Sequence, residues 1–119
     1  MNKYERGKEG EDIACKYLAE KGYLIIERNY RGKKGEIDII ARDGNVIVFI
    51  EVKSWKTIPV SEAGFSMSIM KKRRITKSAE QYIFENRKQI SDFDIRFDFV
   101  FVDTVRNSIT HSKNIIMES

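Results

Sequence analysis

The sequence predicts an α/β fold, a sheet with a helix packed on each face. Three observations carry this prediction. Two strongly apolar strand-like runs between Glu36 and Ser54 are joined by Asp43-Gly44-Asn45, the punctuation of a β-hairpin. Helical periodicity precedes this hairpin and follows it. A further apolar strand core, Phe97-Asp98-Phe99-Val100-Phe101-Val102, comes after the second helix. At 119 residues the chain is expected to form a single domain, 1–119.

The first helix is expected over about Lys3 to Lys21, where Gly7, Gly10, Ala14, Tyr17 and Leu18 keep helical spacing. Glycines inside a helix weaken it by about 1 kcal/mol each, so Gly7 and Gly10 point to close backbone packing. Glu11 borders the buried stripe rather than facing fully outward, and Gly22 ends the helix. A first strand follows at Tyr23 to Tyr30. Arg31-Gly32-Lys33-Lys34-Gly35 is a basic, glycine-rich turn without the spacing of a phosphate-binding P-loop. The hairpin strands are expected at Glu36 to Arg42 and Val46 to Ser54. Val46 to Ile50 is apolar on both faces, as in a strand covered on both sides.

From Trp55 to Ser66 periodicity is lost and the only proline, Pro59, appears, so this stretch reads as a loop. A second helix is expected from Met67 to Lys88 on the stripe Ile75, Ala79, Tyr82 and Ile83, with Lys71 and Lys72 flanking that stripe. Strands at Ile95 to Val105 and, more weakly, Ser108 to Met117 complete the chain. No Gly-x-Gly-x-x-Gly follows a strand, which argues against a dinucleotide-binding fold.

Composition narrows the function. The net charge is +4, and basic residues cluster at Arg28 to Lys34 and at Lys71 to Lys77. Basic patches near carboxylates suit a protein that holds a phosphate backbone against a metal. Cys15 is the only cysteine, which excludes an internal disulfide and suits a reducing cytoplasm. With His111 the only histidine, a structural zinc site is excluded; His111 itself reads as a surface strand residue. No apolar run reaches the length of a membrane span, so no membrane partner is expected.

The charges inside the apolar hairpin carry the chemistry. Side chains alternate along a strand, so Glu36 shares a face with Asp38, and Glu51 with Lys53. Carboxylates on paired strands reach a common cation if the register brings them level. A hard divalent ion takes two protein carboxylates, waters and substrate phosphate, and a lysine on the same face activates water or stabilises the transition state. The plain alternative is an ion pair of Lys53 with Glu51 or Asp38 that fixes register. It would leave a negative surplus among Glu36, Asp38 and Glu51, which a cation cancels.

Asp38, then Glu51 and Lys53, resembles the PD-(D/E)xK motif of restriction-endonuclease-like nucleases. Gly7, Gly10-Glu11, Tyr17-Leu18, Gly22-Tyr23, Arg28-Asn29, Gly35-Glu36-Ile37-Asp38, Ile40-Ala41 and Phe49-Ile50-Glu51-Val52-Lys53 together resemble the YraN-type family. Lys71, Ala79, Tyr82 and Phe97-Asp98 fall where that family has its later motifs. Its members are described as predicted endonucleases, related to archaeal Holliday-junction resolvases. The resemblance implies an αβββαββ order around a central mixed sheet, with Mg²⁺ or Mn²⁺ held by Asp38, Glu51 and the Val52 carbonyl. It implies Lys53 as the catalytic lysine and Glu11 as a supplementary acid at the metal. Glu36 reads either as an acid that supports the site from behind or as a strand-end acid in water, and Asp98 either as support for the site, the favoured reading, or as the structural partner of a lysine or arginine. Lys33, Lys34, Lys71, Lys72 and Trp55 are expected to contact nucleic acid. Ile37 stands where the wider motif has proline, and Trp55-Lys56 where the family commonly has arginine, leaving Trp55 to stack on a base or cover the core.

The expectation is a metal-dependent endonuclease cutting DNA, including branched or repair intermediates, with RNA left open. The alternative is a non-catalytic nucleic-acid-binding or adaptor protein on the same fold. A four-way junction or palindromic site would call for a homodimer, although no dimer surface is legible.

Overall fold

A computed structural model describes residues 3–54 and 69–115. The order is α1 (Lys3–Glu20), β1 (Leu24–Arg31), β2 (Glu36–Asp43), β3 (Val46–Ser54), α2 (Ile69–Glu85), α3 (Arg87–Ile90), β4 (Asp94–Asp103) and β5 (Ser108–Ser112). The five strands form one mixed sheet in the order β1-β2-β3-β4-β5. Only the β3–β4 pair is parallel. A parallel neighbour requires a crossover, and α2 lies in that connection. The αβββαββ order is the expected one, with the single turn of α3 added.

Two cores flank the sheet. On one face Ala14 and Leu18 of α1 pack on Ile39, Ala41, Val48, Ile50, Val100 and Val102. On the other, Ala79 and Tyr82 of α2 pack on Tyr30, Ile37, Ile40, Ile47 and Phe49. The run Val46 to Ile50 supplies both cores, which is why it is apolar throughout and occupies the central strand. Gly10 is buried where α1 crosses β3: a Cβ there would stand 3.3 Å from the Ser54 Cβ. Gly22 ends α1 with φ +94°, and the Tyr23 amide donates to the Leu18 carbonyl at 2.9 Å. The expected stop is a Schellman cap.

The hairpin loop is two residues, Gly44-Asn45, with φ 60° at Gly44. The second helix ends earlier than its stripe predicts. Asn86 turns both its amide N–H (3.0 Å) and its side-chain nitrogen (2.9 Å) onto the Tyr82 carbonyl, separating α2 from α3. β4 stops at Asp103 rather than Val105, because Asp103 Oδ1 accepts the Val105 and Arg106 amides and builds a turn. β5 ends at Ser112, well short of Met117. The expected loop from Trp55 to Ser66 lies outside the described residues. Among the described residues no helix is long and apolar enough to cross a membrane.

Candidate metal centre

The site lies at the end of the hairpin remote from its turn. The β2–β3 ladder runs from Asp43↔Val46 to Ile39↔Ile50, and the same register places Asp38 level with Glu51 just beyond it. Here the alternation of faces breaks. Ile37 belongs to the α2-side core and Ile39 to the α1-side core, although strict alternation would put them on one face. β1 breaks at the same level: Arg28 reaches α1, whereas Tyr30 packs on the α2 side.

Asp38, at this twist, turns its carboxylate toward β3. Its Oδ2 accepts the Val52 amide at 2.8 Å, the place of a backbone carbonyl in a continued ladder. N–H and C=O of one strand residue point to the same edge, so the Val52 carbonyl faces the same gap. Glu51, level with Asp38 on the facing strand, is itself buried. Burial, and after it the Glu51 charge, push the Asp38 carboxyl up to about 8 against the opposing pull of the Val52 N–H. Lys53 Nζ stands 3.8 Å from Glu51 Oε1.

On the other side of Asp38 stand Glu11 and Glu36. One carboxylate oxygen from each of Glu11, Glu36 and Asp38 lies within 4.8 Å of the other two. Burial raises the Glu11 carboxyl and Glu36 adds to the rise, while Arg28 and a hydrogen bond from the Asn29 side chain pull it down. Arg28 Nη2 lies 3.6 Å from Glu11 but 2.7 Å from Asp12, so its stronger contact is with Asp12. Arg31 is 3.8 Å from Glu36. Two oxygens on opposite sides of Mg²⁺, each about 2.1 Å away, are about 4.2 Å apart. The donor set therefore fits a hard divalent cation with little rearrangement.

Glu36, expected behind the ligands, presents its carboxylate beside those of Glu11 and Asp38. Asp98 is fully buried on β4 in a different setting. It accepts Arg96 Nε at 2.9 Å and Nη2 at 3.0 Å, His111 Nε2 at 2.8 Å and the Asn114 amide at 3.0 Å. Arg96 extends that network to Asp43 (3.2 Å) and the Tyr23 hydroxyl (2.6 Å). Among the described residues, none of these partners belongs to the carboxylate cluster. His111 is not a surface residue: its side chain is 6% exposed and its Nδ1 meets the Tyr17 hydroxyl at 3.1 Å. Its neighbour two positions back, Ile109, packs on the α1-side core, which was the available signal.

The basic turn is docked on α2. Ser78 Oγ donates to the Gly35 carbonyl at 2.8 Å, and Gln81 Oε1 accepts the Lys33 amide at 2.8 Å. A Cβ at Gly32 would stand 2.7 Å from Ser78 Oγ, so only glycine permits this approach. Lys33 and Lys34 are exposed, as are Arg73, Arg74 and Lys77, and Arg74 lies under Gly35. Lys72 is half-buried on α2, and Lys71 lies in its first turn. Trp55 falls outside the described residues. In the sequence Arg28 stands out only as part of a basic cluster and a motif and Asn29 only as part of the motif; in the fold Arg28 lies 3.6 Å from Glu11 and the Asn29 side chain pulls the Glu11 carboxyl down.

A family model described as uncharacterised protein family UPF0102 matches residues 10–102. A UPF0102 protein of Sulfurihydrogenibium sp. is 45% identical over 114 residues, covering 96% of each chain. One from Clostridioides difficile is 41% identical over 114 residues, covering 96% of this chain and 98% of its own. One from Dictyoglomus turgidum is 41% identical over 102 residues, covering 86% and 85%. The YraN-type resemblance is to this same group of proteins. The chain belongs to the uncharacterised protein family UPF0102.

Proposed function

We propose that the protein is a divalent-metal-dependent nuclease that hydrolyses phosphodiester bonds in DNA. The observation that carries this reading is the convergence on Asp38 of three acids and, through Glu51, a lysine, at the point where β2 and β3 part. A carboxyl pushed up to about 8 marks a group held in an environment poor in water and rich in negative charge. Such an environment is relieved by a cation.

Glu11, Glu36, Asp38 and Glu51 would hold Mg²⁺ or Mn²⁺ together with the Val52 carbonyl. Bound there, the ion would supply an activated water and neutralise charge on the phosphoryl oxygen. Asp38 and Glu51 lie in a site walled by the ends of two apolar strands, where electrostatic interactions with a bound cation are stronger than in water. Lys53, next to Glu51, is positioned to orient the attacking water or to stabilise charge on the phosphate. Lys33 and Lys34 sit on a turn that Ser78 and Gln81 fix against α2, directly before Glu36. Cations so held contact phosphates with little loss of backbone freedom, and Lys72 and Arg74 extend the same charge along the helix. This reading places the protein in the cytoplasm, with DNA as its partner.

The test incubates purified protein with Mg²⁺ or Mn²⁺ and labelled duplex, single-stranded, flap and four-way-junction DNA. Cleavage that disappears in Asp38→Ala and in Lys53→Ala supports the reading. No cleavage of any substrate, or equal cleavage by those variants, overturns it. Salt-sensitive binding that persists in Asp38→Ala without any divalent ion would instead favour a non-catalytic DNA-binding protein.

A further inference from the structure

Asn29 lies in the middle of β1 with φ 55°, a left-handed backbone that side-chain-bearing residues avoid and asparagine tolerates best. The chain does not turn here. Arg28 pairs with Ile39 and Tyr30 with Ile37, so the strand continues on both sides of the unpaired Asn29–Asp38 level, with a separate bulge at Ile26 where the register shifts between Ile25 and Glu27. The left-handed residue has one visible effect. It rotates β1 by one position, so that Arg28 faces α1 and Tyr30 faces the α2-side core. β2 rotates at the matching level, and that rotation turns Asp38 toward the Val52 amide. The Asn29 side chain meanwhile stands near enough to Glu11 on α1 to pull the Glu11 carboxyl down. Such a conformation persists in a strand only where the surroundings impose it. At this level the surroundings are the two carboxylates.

We propose that Asn29 is a positioning residue for the metal centre: its left-handed backbone sets the twist that aims Asp38, and its amide holds Glu11 over the same point. The inference rests on the metal-site reading but adds a residue that touches neither ion nor substrate. An amide donor to a ligating carboxylate orients it without adding charge, and loss of such outer partners weakens metal binding about 10- to 100-fold.

The experiment measures Mn²⁺ affinity by calorimetry in wild type, Asn29→Gly, Glu11→Gln and the double variant, with the thermal midpoint of each. Glycine keeps the left-handed backbone and removes only the amide, so Asn29→Gly should fold with a midpoint close to wild type while its Mn²⁺ affinity falls about tenfold. The double variant should bind no more weakly than Glu11→Gln alone, because both changes act through one carboxylate. Equal affinity in wild type and Asn29→Gly overturns the inference and leaves the metal site standing. Full additivity with Glu11→Gln also overturns it, since that is what a purely structural residue would show. No Mn²⁺ binding by wild type overturns the metal reading and this inference together.

Discussion

Replacing Asp38 with asparagine should stabilise the metal-free protein, and by an amount that depends on pH. The Asp38 carboxyl is pushed up to about 8 from its ordinary 3.8, first by burial and then by the Glu51 charge. Below pH 4 the carboxyl is protonated in both folded and unfolded chains, and it contributes no difference. As pH rises from 4 toward 8 the unfolded chain releases its proton while the folded chain retains it, so stability falls across that window. Each unit of separation is worth about 1.36 kcal/mol, so at pH 7 the cost comes to about 4 kcal/mol. Asparagine keeps an acceptor for the Val52 amide and has no charge to lose. Urea unfolding of wild type and Asp38→Asn at pH 4.5, 6 and 8, with metal chelated, should give a difference of only about 1 kcal/mol at the lowest pH. The difference should grow to about 5 kcal/mol at the highest, in favour of the variant. Saturating Mn²⁺ should narrow that gap, because only wild type gains the linkage term, about 2.7 kcal/mol at one hundred times the dissociation constant. A difference independent of pH, or a variant less stable at pH 8 than at pH 4.5 relative to wild type, would refute the account of Asp38.

Asp98→Ala should cost about 3–5 kcal/mol in urea unfolding, since it strips a buried partner from Arg96 and His111 together. Burial pushes the Asp98 carboxyl up, but hydrogen bonds from His111, Arg96 and the Asn114 amide outweigh it and hold the folded pKa below its ordinary value. Its contribution is therefore present above pH 4 and is lost as pH falls through the folded pKa, so the gap between wild type and Asp98→Ala should narrow toward pH 2. Gly32→Ala should destabilise by about 1–3 kcal/mol, because the Ser78 Cβ, 2.9 Å from the new methyl, belongs to the helix and cannot swing away. Lys33→Ala/Lys34→Ala should weaken duplex binding, measured by anisotropy in chelator, and reduce the slope of log K against log salt by about 1.8. An unchanged slope would remove the docked turn from the DNA interface.

Much of this molecule is legible in its sequence because its local signals agree. The Gly44-Asn45 loop, the Gly22 cap and the apolar run of β3 are each short-range features that the fold uses as their chemistry suggests. Asp38, Glu51 and Lys53 are visible because charge inside an apolar strand calls for explanation. What stayed hidden depends on the third dimension. Glu36 reads as a strand-end acid until α1 brings Glu11 beside it. Period-2 reasoning assumes a strand that keeps its faces, and it fails where Asn29 and Asp38 rotate theirs. His111 looks solvated because its chain neighbours are polar, and only the docking of β5 beside Tyr17 and Asp98 encloses it. Asn86 ends a helix whose apolar stripe continues, since a side-chain contest for one carbonyl leaves no trace in periodicity.

The 2.8 Å bond from the Val52 amide to Asp38 makes one sheet proton answer to a side chain rather than to a backbone carbonyl. Neighbouring amides of β3 are locked by ladder partners whose basicity is constant. The Val52 proton faces an oxygen whose electron density changes whenever Asp38 gains a proton or a cation. Its exchange with deuterium and its nitrogen-15 chemical shift should therefore follow the state of the centre, while those of Val48 and Ile50 stay fixed. A single backbone resonance in the middle strand becomes an internal gauge of the site, readable without substrate and without turnover.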